Sequence, residues 1–160
     1  MNKTIAFLLT ACYLFLSLLT NAQTKKQKAE KEFLNQLNSI LINSKDQDWA
    51  HNGTMTVDIA FAINKEGILS VTVHYTDDDS AVVRMRMEAP VKKILRVAYD
   101  LYLILQYKED QVAVYESEPG KNELVQVNKS NLFHIGIPQK EGYTQKEKLQ
   151  KLLKKVLKQL

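Results

Sequence analysis

Three polar residues, Asp58, His74 and Arg84, form the group that the sequence places best for chemistry. They lie in runs of alternating apolar and polar residues, and pairing these runs as antiparallel strands sets Asp58 directly across from His74, with Arg84 beside it. A carboxylate beside an imidazole raises the pKa of the imidazole and can orient it as a general base. An enzyme that uses Asp58 and His74 is therefore one hypothesis. We favour a solvated charge pair, because the pattern places no serine or cysteine nucleophile beside it.

The same predicted face offers a binding surface without catalysis. Arg86 follows Arg84 at the next outward position, so that His74, Arg84 and Arg86 present a face of mixed charge together with Asp58. Trp49, in the loop before the first strand, is a second candidate contact, although a tryptophan there is more typical of a residue that closes the core. These residues predict a noncatalytic module that contacts a protein or a small anionic ligand.

No metal site or cofactor is predicted. The aspartates 77–79 lack the alternate spacing, internal glycine and distal glutamate of an EF-hand loop, and they indicate a polar turn. Zinc needs three or four converging ligands, whereas His51, His74 and His134 fall in different predicted elements. The only cysteine is Cys12, so residues 23–160 contain no disulfide, cysteine nucleophile or thiolate ligand.

The C-terminal segment has the composition of a basic amphipathic helix. Thr144 and Glu147 have the spacing of a capping box, and leucines and a valine follow at helical spacing with lysines opposite. One hypothesis places the helix on an anionic membrane or lipopolysaccharide surface. We favour packing of the apolar stripe on a sheet, which needs a cover. The lysines that would contact a membrane are Lys151, Lys154, Lys155 and Lys158.

A hairpin positions the first polar residues. Residues 54–63 and 68–75 alternate between apolar and polar residues on either side of a turn that contains Gly67. With Gly67 in the left-handed position of a three-residue loop, Asn64 pairs with Ile68. The apolar pairs that follow are Ile63 with Leu69, Phe61 with Val71, and Ile59 with Val73.

A third strand over residues 81–88 extends this face. Shifting a strand by one residue would turn its apolar side outward, so the register is well defined by the pattern. The predicted pairs are Tyr75 with Val83, Val73 with Met85 and Val71 with Met87 on the apolar side, and His74 with Arg84 and Thr72 with Arg86 on the polar side.

The remainder of the chain predicts a short helix and a second hairpin. Pro90 suits the first turn of a helix, and Val91, Ile94, Leu95 and Ala98 continue at helical spacing. Residues 101–107 and 112–117 read as a hairpin around a polar turn at 108–111, with 101–105 apolar on both faces as in a central strand. Weaker runs at 124–127 and 132–137 predict edge strands, and residues 29–41 predict an amphipathic helix.

The N-terminus predicts export. Lys3 is followed by an apolar run over residues 5–19 and by small residues up to Ala22, which is typical of a cleavable bacterial signal peptide. Residues 9–12 resemble the lipobox of bacterial lipoproteins, which would acylate Cys12. We favour cleavage near Ala22, because apolar residues continue after Cys12. Removal of Lys3 with the signal lowers the formal charge of +4 by one, to +3, too little to argue for nucleic acid.

The sequence as a whole predicts a signal peptide at 1–22 and a single α+β domain at 23–160. We expect an antiparallel sheet of about five to seven strands, covered by N- and C-terminal amphipathic helices, plus a short middle helix. The predicted function is a noncatalytic binding or accessory module in the periplasm or outside the cell. The predicted partner is an unknown protein or small ligand, a membrane surface is a further candidate, and no nucleic acid is expected. The alternative functions are membrane or lipopolysaccharide association through the C-terminal helix and an enzyme that uses Asp58 and His74.

Overall fold

The computed structural model of the chain describes residues 25–44, 54–76, 82–136 and 142–160. Two helices flank eight strands, which confirms the α+β class. Helix α1 covers residues 25–44 and helix α2 covers Gly142–Leu157. The strands are β1 Thr54–Ile63, β2 Ile68–Thr76, β3 Val82–Pro90, β4 Ile94–Asp100, β5 Tyr102–Tyr107, β6 Val112–Glu116, β7 Val125–Ser130 and β8 Leu132–Gly136.

The strands form two antiparallel sheets that are joined by short connections. One sheet has the order β1-β2-β3-β6-β7 and the other has the order β4-β5-β8. The chain crosses between them from β3 to β4, from β5 to β6 and, across Asn131 alone, from β7 to β8. β3 with β4 and β5 with β6 are two stretches of chain that each pass through both sheets. Because β3 pairs with β6 and β4 pairs with β5, the two stretches run side by side. The sheets are therefore consecutive parts of one bent antiparallel meander.

The register of β2 and β3 agrees with the prediction at every pair. Val73 pairs with Met85, His74 with Arg84, and the remaining predicted pairs follow in step. The regular alternation of these strands leaves only one register that keeps the apolar side inward. The polar and apolar faces of this hairpin could thus be assigned from the sequence.

Strand β1 departs from the predicted register. Ile63 pairs with Leu69 as predicted, but Ile59 pairs with Thr72 and not with Val73, because the ladder shifts at two places within β1. At each shift β1 advances one residue more than β2, as at a β-bulge. Ile59 is consequently exposed instead of facing the core.

Asn38 of α1 compensates for the irregular ladder near Phe61. The Asn38 side chain accepts a hydrogen bond from the Phe61 N–H at 2.7 Å and donates one to the Phe61 carbonyl at 3.1 Å. Backbone groups that leave a ladder need other partners when they are partly buried. The helix thus supplies the hydrogen bonds that the neighbouring strand does not.

The predicted middle helix is wrong. Only Val91–Lys93 is helical, as a single 3-10 turn, and β4 begins directly afterwards at Ile94. A 3-10 turn has three residues per turn, so the buried Val91 and Ile94 repeat at a spacing that also fits an α-helix. Leu95, which the helix prediction placed on the apolar side, is 59% exposed.

The predicted second hairpin is also wrong. Residues 108–111 are the crossing from β5 to β6, which belong to different sheets, and the hairpin turn lies earlier, between β4 and β5. Leu101 occupies that turn with a φ of 60°, a conformation that leucine rarely adopts. A turn without glycine, asparagine or proline carries little sequence signal. The predicted central position of β5, and the edge positions of β7 and β8, are confirmed.

The two helices cover the sheets, as predicted. The apolar stripe of α2 enters the core, since Leu149 and Leu153 are fully buried. The stripe of α1 contributes Phe33 and Leu37, which are equally buried. Both helices and both sheets contribute to one hydrophobic cluster of the described residues. Gln150 also accepts a hydrogen bond from the Val97 N–H on the outer edge of β4, at 2.8 Å.

Candidate functional site

The structure brings Asp58, His74 and Arg84 together on the outer face of the five-stranded sheet. Asp58 Oδ1 lies 2.6 Å from His74 Nδ1, and Asp58 Oδ2 accepts a hydrogen bond from Arg84 Nε at 2.7 Å. The residue of β1 that pairs with His74 is Thr56. The prediction that Asp58 lies directly opposite His74 is therefore wrong, because the β-bulges shift the register of β1. The Asp58 side chain nevertheless bridges the other two. We call these three residues the outer network.

The outer network uses most of its polar capacity within the protein. Arg84 also donates to Asn122 Oδ1 at 2.7 Å, and its backbone N–H donates to the Ser117 hydroxyl at 2.9 Å. Partial burial by itself would raise the pKa of Asp58, but hydrogen bonds from His74 and Arg84 outweigh it and hold that pKa below its ordinary value. Asp58 is therefore a carboxylate that two donors already satisfy.

A catalytic use of the outer network would need a nucleophile or a substrate group at the second imidazole nitrogen. In the part of the chain that the structure describes, no hydroxyl or thiol hydrogen-bonds to His74. Arg86, the other predicted binding residue, pairs with Glu88 on its own strand. The face that the sequence indicated for anion binding thus has its cations opposed by carboxylates.

A cavity of about 300 Å³ lies on the opposite, inner face of the five-stranded sheet. Its walls come from both sheets and from α1, so the bend of the meander creates it. Most of the lining is apolar, and three methionines contribute to it. The described residues that line it are Leu41, Met55, Phe61, Val71, Val73, Tyr75, Met85, Met87, Tyr102, His134, Ile135 and Gly136.

Two tyrosines and a histidine are the polar side chains among the described residues of this lining. The rings of Tyr102 and His134 lie 5.7 Å apart between centroids. Burial raises the pKa of Tyr75, with a smaller contribution from Tyr102, and burial lowers the pKa of His134. Tyr75 and His134 are consequently uncharged near neutral pH. We call Tyr75, Tyr102 and His134 the cavity polar group.

The cavity was not predicted from the sequence, although two signals for it were present. Met85 and Met87 occur at alternate positions on the apolar side of β3, and Met55 faces the same side from β1. Methionines fill irregular space and are frequent at adaptable binding surfaces. Tyr75 ends the same apolar row with a hydroxyl. The cavity depends on the bend between the two sheets. The hairpin predicted at 101–117 gave no indication of this bend.

No protein-family model, curated protein or solved structure matches this chain. Its function has to be argued from its own residues. Within residues 25–44, 54–76, 82–136 and 142–160, no helix is both long and apolar enough to cross a membrane. The same residues contain no group of three or more histidines, cysteines, aspartates or glutamates that could hold a metal ion.

The lysines predicted for membrane contact lie on the exposed side of the C-terminal segment. Lys155 pairs with Glu32 of α1 at 3.1 Å, which ties the two helices together. Lys151 and Lys154 line an open groove beside β4, which Arg96 also lines. Lys158 lies beyond the end of α2 and is exposed. Because the apolar stripe of α2 is buried, these cations would be the contribution of this helix to a membrane contact.

Several predictions fall on residues outside the described ranges. These are the signal peptide at 1–22 with Cys12, the candidate contact Trp49, His51, and the aspartates 77–79. Their structural roles therefore stay predictions.

Proposed function

We propose that this protein is an exported, noncatalytic binding module that holds a small, mainly apolar molecule in the inner cavity. The observation that supports it is the 300 Å³ cavity between the sheets. Native cores are packed with few voids larger than a water molecule, and leaving such space costs stability. A space of this size, lined by flexible methionines and a few convergent polar groups, has the character of a ligand site.

The cavity volume limits the ligand to a small molecule. A water molecule takes up roughly 30 Å³ in the liquid, so the space corresponds to on the order of ten non-hydrogen atoms. Each buried methylene contributes about 0.8 kcal/mol, so about ten carbons gain about 8 kcal/mol. Deducting at least about 4 kcal/mol for immobilisation leaves about 4 kcal/mol, which corresponds to roughly millimolar binding. The site therefore fits a single medium-length alkyl or ring compound.

The other hypotheses have weaker support from the geometry. Catalysis by Asp58 and His74 needs a reacting group next to an imidazole that sits on an open sheet face, away from the cavity. Anion binding by Arg84 and Arg86 has to displace Asp58 and Glu88 first. Membrane association through α2 would rest mainly on its lysines, because the apolar stripe of the helix is buried. The export proposal itself derives from residues 1–22, and detection of the cleaved form outside the cytoplasm would test it.

Filling the cavity tests the proposed function. Val73 is a buried lining residue, and Val73→Phe would occupy part of the space, while Val127→Phe adds the same ring at an exposed site on β7. We expect 1-octanol to shift the methyl NMR signals of Met55, Met85 and Met87 in the native protein and in Val127→Phe, but not in Val73→Phe. Absence of any shift in the native protein would refute the proposal.

If Val73→Phe fails to fold, Met85→Phe is the alternative. Met85 is only half-buried, so a ring can enter the cavity there with less strain.

A further inference from the structure

Among the residues that the structure describes, the cavity lining contains no charged side chain. None of these lining residues is a lysine, arginine, aspartate or glutamate, and the outer network lies on the other face of the same sheet. A carboxylate or ammonium group placed inside would lose its hydration without gaining a counter-ion. The occupant must therefore be uncharged where it contacts the lining.

The cavity also contains hydrogen-bonding groups that the described chain leaves unused. The Tyr75 hydroxyl, at the end of β2, makes no side-chain hydrogen bond within the described residues. The same holds for the ring nitrogens of His134 on β8, whose only ring contact there is with Tyr102. Neither group is fully buried, so water can bond to both, and a purely hydrocarbon ligand that displaced this water would leave them without partners.

His134 and Tyr102 lie together at one end of the cavity, and Tyr102 is near enough to Tyr75 to contribute to its raised pKa. His134 is exposed to solvent and yet lines the space, so it stands at an opening, and Tyr102 lies against it. The fully apolar residues Val71, Met87 and Phe61 line the remainder. A molecule inside would thus meet hydrocarbon over most of its surface and polar side chains at one end.

From this arrangement we infer that the cavity binds an uncharged amphiphile, an alkyl or ring body with one hydroxyl or carbonyl group, which hydrogen-bonds to Tyr75 and His134. This inference rests on the proposed function and adds the chemical class of the ligand. The phenol of Tyr75 donates to a carbonyl or hydroxyl oxygen of the ligand. The neutral imidazole of His134 can accept from a ligand hydroxyl or donate to its oxygen, depending on which nitrogen carries the proton.

Three probes of one chain length separate the alternatives: 1-octanol, octanoate and n-octane, each titrated into the purified protein at about pH 7.5, where octanoate is ionised. We expect octanol to bind at least about tenfold more tightly than octanoate, because the carboxylate would lose part of its hydration at this end of the cavity and find no counter-ion among the described lining residues. Octane should bind more weakly than octanol. If no probe binds, the proposed function fails. If octanoate or octane binds as tightly as octanol, the cavity is a ligand site but the inferred class is wrong.

A tyrosine variant locates the polar contact. Tyr75→Phe keeps the ring and removes the hydroxyl, and we expect it to weaken octanol binding by roughly three- to tenfold, as for one hydrogen bond, with octane affinity unchanged. Tyr115→Phe is the matched control, because Tyr115 pairs with Arg86 on the outer face. Equal octanol affinity in the native protein and Tyr75→Phe would overturn the contact. His134→Phe, at an exposed position, is the second variant and should also weaken octanol selectively.

Discussion

The polar side chains on the two sides of the five-stranded sheet differ in whether they are hydrogen-bonded within the protein. On the outer face, Asp58, His74 and Arg84 bond to one another and to the loop that follows β6. On the inner face, Tyr75 lines an apolar cavity together with His134 from β8 of the other sheet, and neither side chain hydrogen-bonds to the described chain. A polar group whose bonds are made internally holds the fold together, whereas one left unbonded beside a cavity is available to a ligand. Hydrogen-bond satisfaction, more than residue type, thus separates a structural network from a candidate site.

The largest expected effect is at the inner face, where Gly136 lines the cavity against α1. A methyl group there would overlap the Ser44 hydroxyl and crowd Ile40. We expect Gly136→Ala to lower the free energy of unfolding by about 2 kcal/mol, as for overpacked sites, measured by urea denaturation. Adding Ser44→Gly should recover part of the loss in the double variant. A Gly136→Ala protein of native stability would show that α1 lies farther from this wall than the structure indicates.

An intermediate effect is expected when the outer network is broken. Arg84→Met keeps the aliphatic stem but removes the bonds to Asp58 and Asn122. Because these side chains are partly exposed, we expect a loss of about 1 to 2 kcal/mol in unfolding free energy and no change in octanol affinity. Arg96→Met is the matched control, since Arg96 makes one exposed bond to Gln106, and it should cost less than about 0.5 kcal/mol. A loss of octanol binding in Arg84→Met would mean that the two faces are coupled.

What could be predicted from the sequence follows the same division between the faces. Regular alternation in β2 and β3 determined which side chains point outward, so His74 and Arg84 were correctly paired. The bulges of β1 and the turn at Leu101 carry no strong local signal, because they depend on contacts such as that of Asn38 with the Phe61 backbone. The cavity arises where the strands bend between sheets, and this long-range geometry is not encoded in any short pattern.

The pH dependence of stability should differ between the faces. The pKa of Asp58 is lowered in the folded state, so the stabilisation by the outer network is present above the pKa of an unfolded aspartate and is lost as the pH falls through the folded value. The lowered pKa of His134 affects stability at a higher pH than that of Asp58. Below about pH 6.5 the unfolded chain takes up a proton that the folded protein does not, so stability declines as the pH falls below that value.

Variants separate these two contributions to the pH dependence. Asp58→Asn should remove the part that lies below about pH 4, and His134→Gln the part that begins near about pH 6.5, as followed by thermal unfolding over a pH series. Both effects should be smaller than those of Gly136→Ala and Arg84→Met, because these two groups are close to solvent. A His134→Gln protein that retains the decline near pH 6.5 would contradict the desolvation of this imidazole.

The smallest effect is expected at Tyr107, which provides a third kind of polar group for the comparison. Its hydroxyl is buried, burial raises its pKa, and it has no hydrogen-bond partner within the described chain, yet it does not line the cavity. A buried hydroxyl without a partner costs free energy, so Tyr107→Phe should leave the unfolding free energy unchanged or raise it by up to about 1 kcal/mol. Octanol affinity should be unaffected, whereas Tyr75→Phe lowers it. A marked destabilisation by Tyr107→Phe would show that this hydroxyl is satisfied after all, and lack of a partner would then no longer distinguish the inner face from the outer one.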